Sequence, residues 1–167
     1  QNFINRVTLL GLTMDEILFT VRRQDDGWYL ATTGNNLKKG GISTEAPDYQ
    51  TLLQKVEEAT KGFLREGYHE ELELPPHPKI RVQYSEVLFK NPAAPGLLIA
   101  GKAERKGYEV KIKSGHVQLD LYHQSIDGLR DLLCEELRRL GHHDKNIEFK
   151  VEEVISPVVA YAARKSA

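Results

Sequence analysis

The sequence predicts an α+β fold in which three strands and a helix follow one another twice. Runs of alternating apolar and polar residues indicate the strands, and glycine-containing turns separate them. Two stretches with leucines at three- and four-residue spacing indicate amphipathic helices. Apolar residues make up 40% of the chain and charged residues 28%, a balance that is typical of a globular protein and excludes a disordered chain.

The first predicted unit spans residues 16–67. It opens with EILFTVRR, and QDDG at 24–27 has the turn chemistry of a hairpin that leads into WYLATT at 28–33. A third short strand follows near Gly41. Asp48 is suited to cap a helix, because its side chain accepts hydrogen bonds from free amides of the first turn. The apolar stripe of this helix consists of Leu52, Leu53, Val56, Ala59 and Phe63.

A proline- and glutamate-rich segment, YHEELELPPHPK at 68–79, divides the chain. Proline removes a backbone donor and disfavours helix in the residue before it, so we predict a linker here. The predicted organisation is therefore an N-terminal extension at 1–15, the unit at 16–67, the linker, and a second α+β unit at 80–167.

The second unit begins with a strand at 80–89, IRVQYSEVLF. From Leu97 three further strands are predicted, LLIAGKAER, YEVKIK and HVQLDLYH, with turns at Gly107 and Gly115. In the last of them the apolar residues share one face, as expected for a half-buried strand.

A second helix is predicted to begin after Ser125 as its cap and to end at Gly141. Its apolar stripe consists of Leu129, Leu132, Leu133, Leu137 and Leu140. A final strand, NIEFKVEEV, covers 146–154. The repeated order favours an internal duplication, with two unrelated halves as the alternative.

Composition narrows the class of protein further. The single cysteine, Cys134, excludes an internal disulfide framework and a multi-cysteine zinc site, and it fits a reducing compartment, so we expect a cytoplasmic protein. No apolar run approaches the roughly 18–20 residues that span a bilayer. The first half is more acidic than basic and the second more basic than acidic, which fits either two modules with different partners or two ordinary solvated surfaces.

Residues 27–64 resemble the HicB-like antitoxin family. That family has an acidic-glycine turn, an aromatic residue opening a strand, a loop ending in glycine, a third strand ending in T-E-A, and a helix with an acidic first residue. The corresponding pieces here are Asp26-Gly27, Trp28 to Ala31, Gly41, Thr44 to Ala46, and Asp48 to Leu53. This chain departs from many relatives in the loop at 35–40, which lacks their Pro-Gly, and after Asn146, where their DNA-binding segment has no room.

The resemblance implies a partial RNase-H-like fold that lacks the nuclease carboxylates, pairs with itself and masks a small RNase toxin. Two such half-domains would form a tandem pseudo-dimer within one chain, with a further homo-oligomer as an alternative. The expected function is a HicB-like antitoxin or a derived binding module that acts on a protein partner, without enzymatic activity, metal or cofactor. Because aromatic and adaptable polar groups concentrate binding energy, we predict partner contacts at Trp28, Tyr29, Asn35, Asn36 and Lys38.

Two alternatives remain at this stage. The first is an RNA-associated protein that uses the basic residues of the 97–113 hairpin, Lys102, Arg105, Lys106, Lys111 and Lys113. The second is a weak ribonuclease that uses His116, since KGYEVKIKSGHV distantly resembles the strand and Gly-Ser-His of HicA toxins. A histidine with a near-neutral pKa suits proton transfer from a 2′-hydroxyl. The alternative interpretation is that His116 lies at a hairpin edge and has no catalytic role.

Overall fold

A computed structural model describes residues 16–34, 41–65, 79–114 and 117–155. The first half of the chain contains β1 (Glu16–Arg23), β2 (Tyr29–Thr32), β3 (Ser43–Ala46), α1 (Tyr49–Arg65) and β4 (Lys79–Phe89). The second half contains β5 (Gly96–Glu104), β6 (Gly107–Ser114), β7 (Val117–His123), α2 (Ile126–Arg139) and β8 (Asn146–Ile155). The predicted α+β class is confirmed, and three strands followed by a helix occur in both halves.

All the described strands belong to one eight-stranded sheet in the order β3-β2-β1-β4-β8-β5-β6-β7. The strands β4 and β8 pair antiparallel in its centre. Outside them, β1 runs parallel to β4 and β5 runs parallel to β8, and each is followed by two antiparallel strands. The sheet therefore has the same order on either side of its central pair, and each half is a β-β-β-α-β unit.

The strand β4 joins the two halves. The sequence assigned residues 80–89 to the second unit, but β4 pairs with β1 of the first half as well as with β8 of the second. A parallel return beside β1 requires a long crossover connection, and α1 lies in that connection. Lys79, predicted in the linker, is the first residue of β4, whereas residues 66–78 lie outside the described part of the chain.

The predicted helix caps are present in both helices. Asp48 accepts a hydrogen bond from the backbone N–H of Thr51 at 2.8 Å, and Ser125 accepts one from that of Gly128 at 3.0 Å. At its other end α2 is followed by Gly141, whose φ of 79° lies in the left-handed region that glycine adopts without strain. Local sequence chemistry therefore sets where the helices begin and where α2 ends.

Both helices lie on the same face of the sheet. Helix α1 packs on β2 and β3, α2 packs on β6 and β7, and the helices contact one another. Along the inner strands burial alternates, so that Phe19, Val82 and Phe149 are fully buried while Thr20 and Lys150 are exposed. A single core thus runs under both helices and across both halves.

The predicted apolar stripes agree with the structure at most of their positions. The buried helix residues are Leu52, Leu53 and Val56 on α1 and Leu129, Leu133 and Leu137 on α2. Phe63 and Leu132 are only partly buried. The prediction that Leu140 is buried is wrong, since it is the C-cap residue of α2 and 37% exposed. The two predicted units do not form separate sheets, because both stripes cover one sheet.

Because the core is shared, a destabilising substitution in the second half should also lower the stability measured by a probe in the first half. Leu133→Ala should lower the free energy of unfolding by about 2–5 kcal/mol, because it leaves a cavity beneath α2. Urea unfolding followed by the fluorescence of Trp28, the single tryptophan, should report this loss although Trp28 lies in the first half. Leu140→Ala, at a partly exposed position, is the control and should cost less than about 1 kcal/mol. An unchanged tryptophan transition beside an earlier loss of helical circular dichroism would contradict the shared core.

Candidate functional site

One face of the sheet is left uncovered by the described helices, and we call it the open face. Its side chains alternate along each strand with those of the core. Its polar residues and Leu30 are Thr20, Arg22, Leu30 and Thr32 on β1 and β2, Arg81, Gln83 and Ser85 on β4, Lys102, Glu109 and Lys111 on β5 and β6, and Glu148, Lys150 and Glu152 on β8. Exposed apolar side chains lie on it as well, namely Val87, Leu98, Tyr122 and Val154. The described helices leave all of these side chains uncovered.

A trough with a volume of about 580 Å³ crosses the open face from β2 to β8. The side chains of its wall are those of Thr20, Arg22, Leu30, Thr32, Gln83, Ser85, Lys150 and Glu152. Three of them are short hydroxyl side chains, which leave room above the strands. The trough therefore combines apolar area, hydroxyl groups and charge in a concave surface.

The cations around the trough differ in their partners. Arg81 bonds Glu152 at 2.6 Å, and Lys150 lies 3.8 Å from Glu148. Arg22 is exposed, and no carboxylate within the described ranges pairs with it. A guanidinium in this state offers a fork of N–H donors to a carboxylate or phosphate.

The structure separates the predicted partner-binding residues. Trp28 directly precedes β2 and is 40% exposed, and its backbone N–H donates to Asp26 in the hairpin turn. The prediction for Tyr29 is wrong, because its side chain lies in the core and is only 1% exposed. Asn35, Asn36 and Lys38 lie outside the described residues, so their roles stay predictions.

The predicted basic residues are distributed over β5, the turn after it and β6, namely Lys102, Arg105, Lys106, Lys111 and Lys113. Acidic side chains are interleaved with them. Lys102 lies 3.7 Å from Glu104, and Lys111 lies 3.9 Å from Glu109 and opposite Asp120 on β7. The hairpin therefore presents a mixed-charge surface, which attracts phosphates less than five unpaired cations would.

On the helix side of the sheet, tyrosines from both halves meet where the two halves join, a region that we call the junction. The tyrosine cluster consists of Tyr29, Tyr49, Tyr84 and Tyr108. The ring centroid of Tyr49 lies 5.9 Å from that of Tyr29, 5.6 Å from that of Tyr84 and 6.1 Å from that of Tyr108, each edge to face. Such pairs contribute about 0.5–1.5 kcal/mol each beyond the burial of their area.

Two carboxylates accept hydrogen bonds from hydroxyl groups of the tyrosine cluster. Asp127, in the first turn of α2, accepts from the Tyr29 hydroxyl at 2.6 Å and from the backbone N–H of Tyr49 at 3.3 Å. Glu153, on β8, accepts from the hydroxyls of Tyr49 at 3.1 Å and Tyr108 at 2.7 Å. Asp127 thus places a negative charge of the second half at the positive end of the first half's helix.

A third carboxylate, Glu86 on β4, completes the junction. It accepts a hydrogen bond from the Tyr84 hydroxyl. Each of its two carboxylate oxygens lies 2.7 Å from the Nε atom of Arg130 on α2. Both partners are largely shielded, with 11% of the Glu86 side chain and 21% of the Arg130 side chain exposed. This ion pair is a second polar link between a strand of the first half and the helix of the second.

Burial keeps the tyrosine cluster protonated. It raises the pKa of all four phenols, and the negative charges of Asp127, Glu153 and Glu86 raise them further. Burial also raises the pKa of Glu153, against which the hydrogen bonds from Tyr108 and Tyr49 act. The phenols therefore serve as hydrogen-bond donors to fixed acceptors, a structural role.

The described residues assemble no metal centre. Among them, no group of three or more His, Cys, Asp or Glu side chains is placed to hold a metal ion. No helix in the described ranges is long and apolar enough to cross a lipid bilayer. Burial raises the pKa of the Cys134 thiol. His116 lies outside the described residues, so its catalytic role stays a prediction.

The sequence analysis missed all three carboxylates of the junction. An aspartate in the first turn of a helix, such as Asp127, is ordinary and draws no attention. Glu153 carries a detectable signal, because it shares a strand face with Phe149 and Val151, which are buried. A charged residue that interrupts a buried strand face predicts a partner from another element.

Comparisons of the chain with protein-family models, with curated proteins and with solved structures find no match. The likeness to HicB-like antitoxins therefore rests on the short motifs between residues 26 and 64.

The hydrogen bonds of Asp127 predict a loss of stability when its charge is removed. Asp127→Asn should lower the free energy of unfolding by about 1–3 kcal/mol, because the amide is a weaker acceptor for a buried phenol and leaves one donor unpaired. Asp131→Asn on the same helix, whose side chain is 76% exposed, is the control and should stay within about 0.5 kcal/mol. Chemical denaturation measures both. Equal effects of the two variants would remove Asp127 from the junction.

The raised pKa of Glu153 predicts a pH dependence of stability. Since its folded pKa lies above its unfolded value, the stability it contributes is fully present below the unfolded pKa and is lost as pH rises through the folded pKa. The difference in unfolding free energy between the natural chain and Glu153→Gln should therefore fall as pH rises above about 4, the ordinary pKa of a glutamate. Urea titrations at several pH values measure it. A difference that grows with pH would show that the tyrosine hydrogen bonds outweigh burial.

Proposed function

We propose that this chain is a protein-binding module, a HicB-like antitoxin or a derivative of one, that masks a partner such as a small RNase toxin. The observation that carries the proposal is the open face in the first half, where exposed Trp28 lies two residues before Leu30 in the wall of a trough of about 580 Å³ that Arg22 also lines. Exposed tryptophan and arginine side chains are enriched at protein interfaces.

We also propose that the two halves are HicB-like half-domains fused as a tandem pseudo-dimer. The sheet order repeats on either side of the β4 and β8 pair. Glu86 follows Tyr84 by two residues, and Glu153 follows Val151, the partner of Tyr84, by two residues. Both glutamates accept tyrosine hydroxyls, so the two strands carry the same chemistry at matching places. This matching supports duplication of one ancestral unit.

Binding fits the described residues better than catalysis does. The titratable groups of the junction bond to one another, so the Tyr49, Asp127 and Glu153 side chains face no substrate. The RNA-binding alternative is less favoured, because the lysines of β5 and β6 alternate with carboxylates. Masking a partner requires only a complementary surface, and the open face supplies one.

The proposal predicts the outcome of co-expression with a small HicA-type RNase. The natural chain should restore growth, and Trp28→Ala should reduce the rescue, with affinity about thirtyfold lower, about 2 kcal/mol. Leu98→Ala, which removes a 58% exposed leucine from the second half, is the control and should leave the rescue intact. Thermal unfolding of both variants checks that Trp28 is not needed for folding.

Three results would count against the proposal. Failure of the natural chain to bind or to rescue would remove the antitoxin function. RNA cleavage by the purified chain that disappears in His116→Ala would replace it with the ribonuclease hypothesis. Salt-sensitive binding of a single-stranded RNA that Lys111→Glu abolishes would favour the RNA-associated alternative.

A further inference from the structure

The duplicated topology allows the open faces of the two halves to be compared position by position. Tyr29 and Tyr108 occupy matching places, since each is buried in the second strand of its half and pairs with the strand before it. The adjacent pair in the first half is Arg22 with Leu30. The matching pair in the second half is Lys102 with Glu109. A cation is kept in both, but its neighbour changes from leucine to glutamate.

This substitution changes the chemistry of the whole position. Lys102 lies opposite Glu109 on one side and Glu152 on the other, and 3.7 Å from Glu104. Three carboxylates therefore neighbour its position, although Glu152 bonds Arg81 and Glu109 lies 3.9 Å from Lys111. Arg22 has Leu30 beside it and no carboxylate partner within the described ranges. The first half thus offers a guanidinium beside a leucine, whereas the second half offers an ammonium group among carboxylates.

We propose that each chain binds one copy of its protein partner, on the open face of the first half, and that the partner places a carboxylate on Arg22 among apolar side chains. The inference rests on the proposed function, that the chain masks a protein. The inference goes beyond the proposed function because it fixes the number of partners and the chemistry of the contact. Two equivalent halves would instead bind two copies.

Charge complementarity selects this occupant. A carboxylate forms two parallel hydrogen bonds with a guanidinium, and Leu30 and Trp28 supply apolar area beside it. A nucleic acid would need several unpaired cations in a row, but Arg81 and Lys150 on the same face already lie beside carboxylates. The partner surface is therefore apolar with an acidic residue within it.

The test uses the full chain co-expressed and purified with a catalytically inactive small HicA-type RNase. Light scattering on the complex should give one RNase per chain. Arg22→Glu should weaken binding about tenfold or more, while Lys102→Glu, at the matching position, should change it less than about twofold. Leu30→Glu, which gives the first half the residue that the second half has at 109, should weaken binding like Arg22→Glu.

Each other outcome overturns a defined statement. Two RNases per chain, or equal weakening by Lys102→Glu and Arg22→Glu, would overturn the single site while leaving the antitoxin function in place. Normal binding by both Arg22→Glu and Leu30→Glu would place the partner elsewhere. A chain that self-associates, and does so less after Arg22→Glu, would make a second copy the occupant. No complex with the natural chain would overturn the proposed function and this inference together.

Discussion

The arrangement of the two halves depends on burying carboxylates among tyrosines at the junction. A carboxylate removed from water costs several kcal/mol unless donors replace the lost hydration. Asp127 obtains its donors from β2 and from the first turn of α1, both in the other half of the chain. Glu153 obtains its donors from Tyr49 and Tyr108, one from each half. These shared hydrogen bonds therefore join the two halves where the first turns of the helices meet.

Placing both helices at this junction leaves the other face of the sheet uncovered. Two helices that meet at their first turns lie on one face, and the described part of the chain supplies no further layer. An eight-stranded sheet then exposes a wide surface whose side chains must be polar, paired or used for binding. The second half is of the paired kind around Lys102, and we propose that the first half, around Arg22 and Leu30, is of the binding kind.

Much of the local structure could be predicted from the sequence, because it depends on local chemistry. Asp48 and Ser125 cap their helices, and Gly141 ends α2, for reasons confined to a few neighbouring residues. The pairing of β4 with β8 could not be predicted, since it joins residues far apart in the chain whose alternation fits many partners. Tyr29 was misplaced for the same reason. An aromatic residue at a strand start fits an interface or a core equally well, and only Asp127 decides between them.

The asymmetry of the open face follows from what a fused pair of halves requires. The second half contributes β8 to the centre of the sheet and Asp127 to the junction, so the first half needs it whether or not it binds a partner. The open face of the second half takes no part in the junction. Glu109, at the position that matches Leu30, keeps the strand paired and lies opposite Lys102, so that the site we propose around Arg22 has no equivalent in the second half. A duplicated chain can thus divide folding and binding between halves that a symmetric dimer of identical subunits would have to make alike.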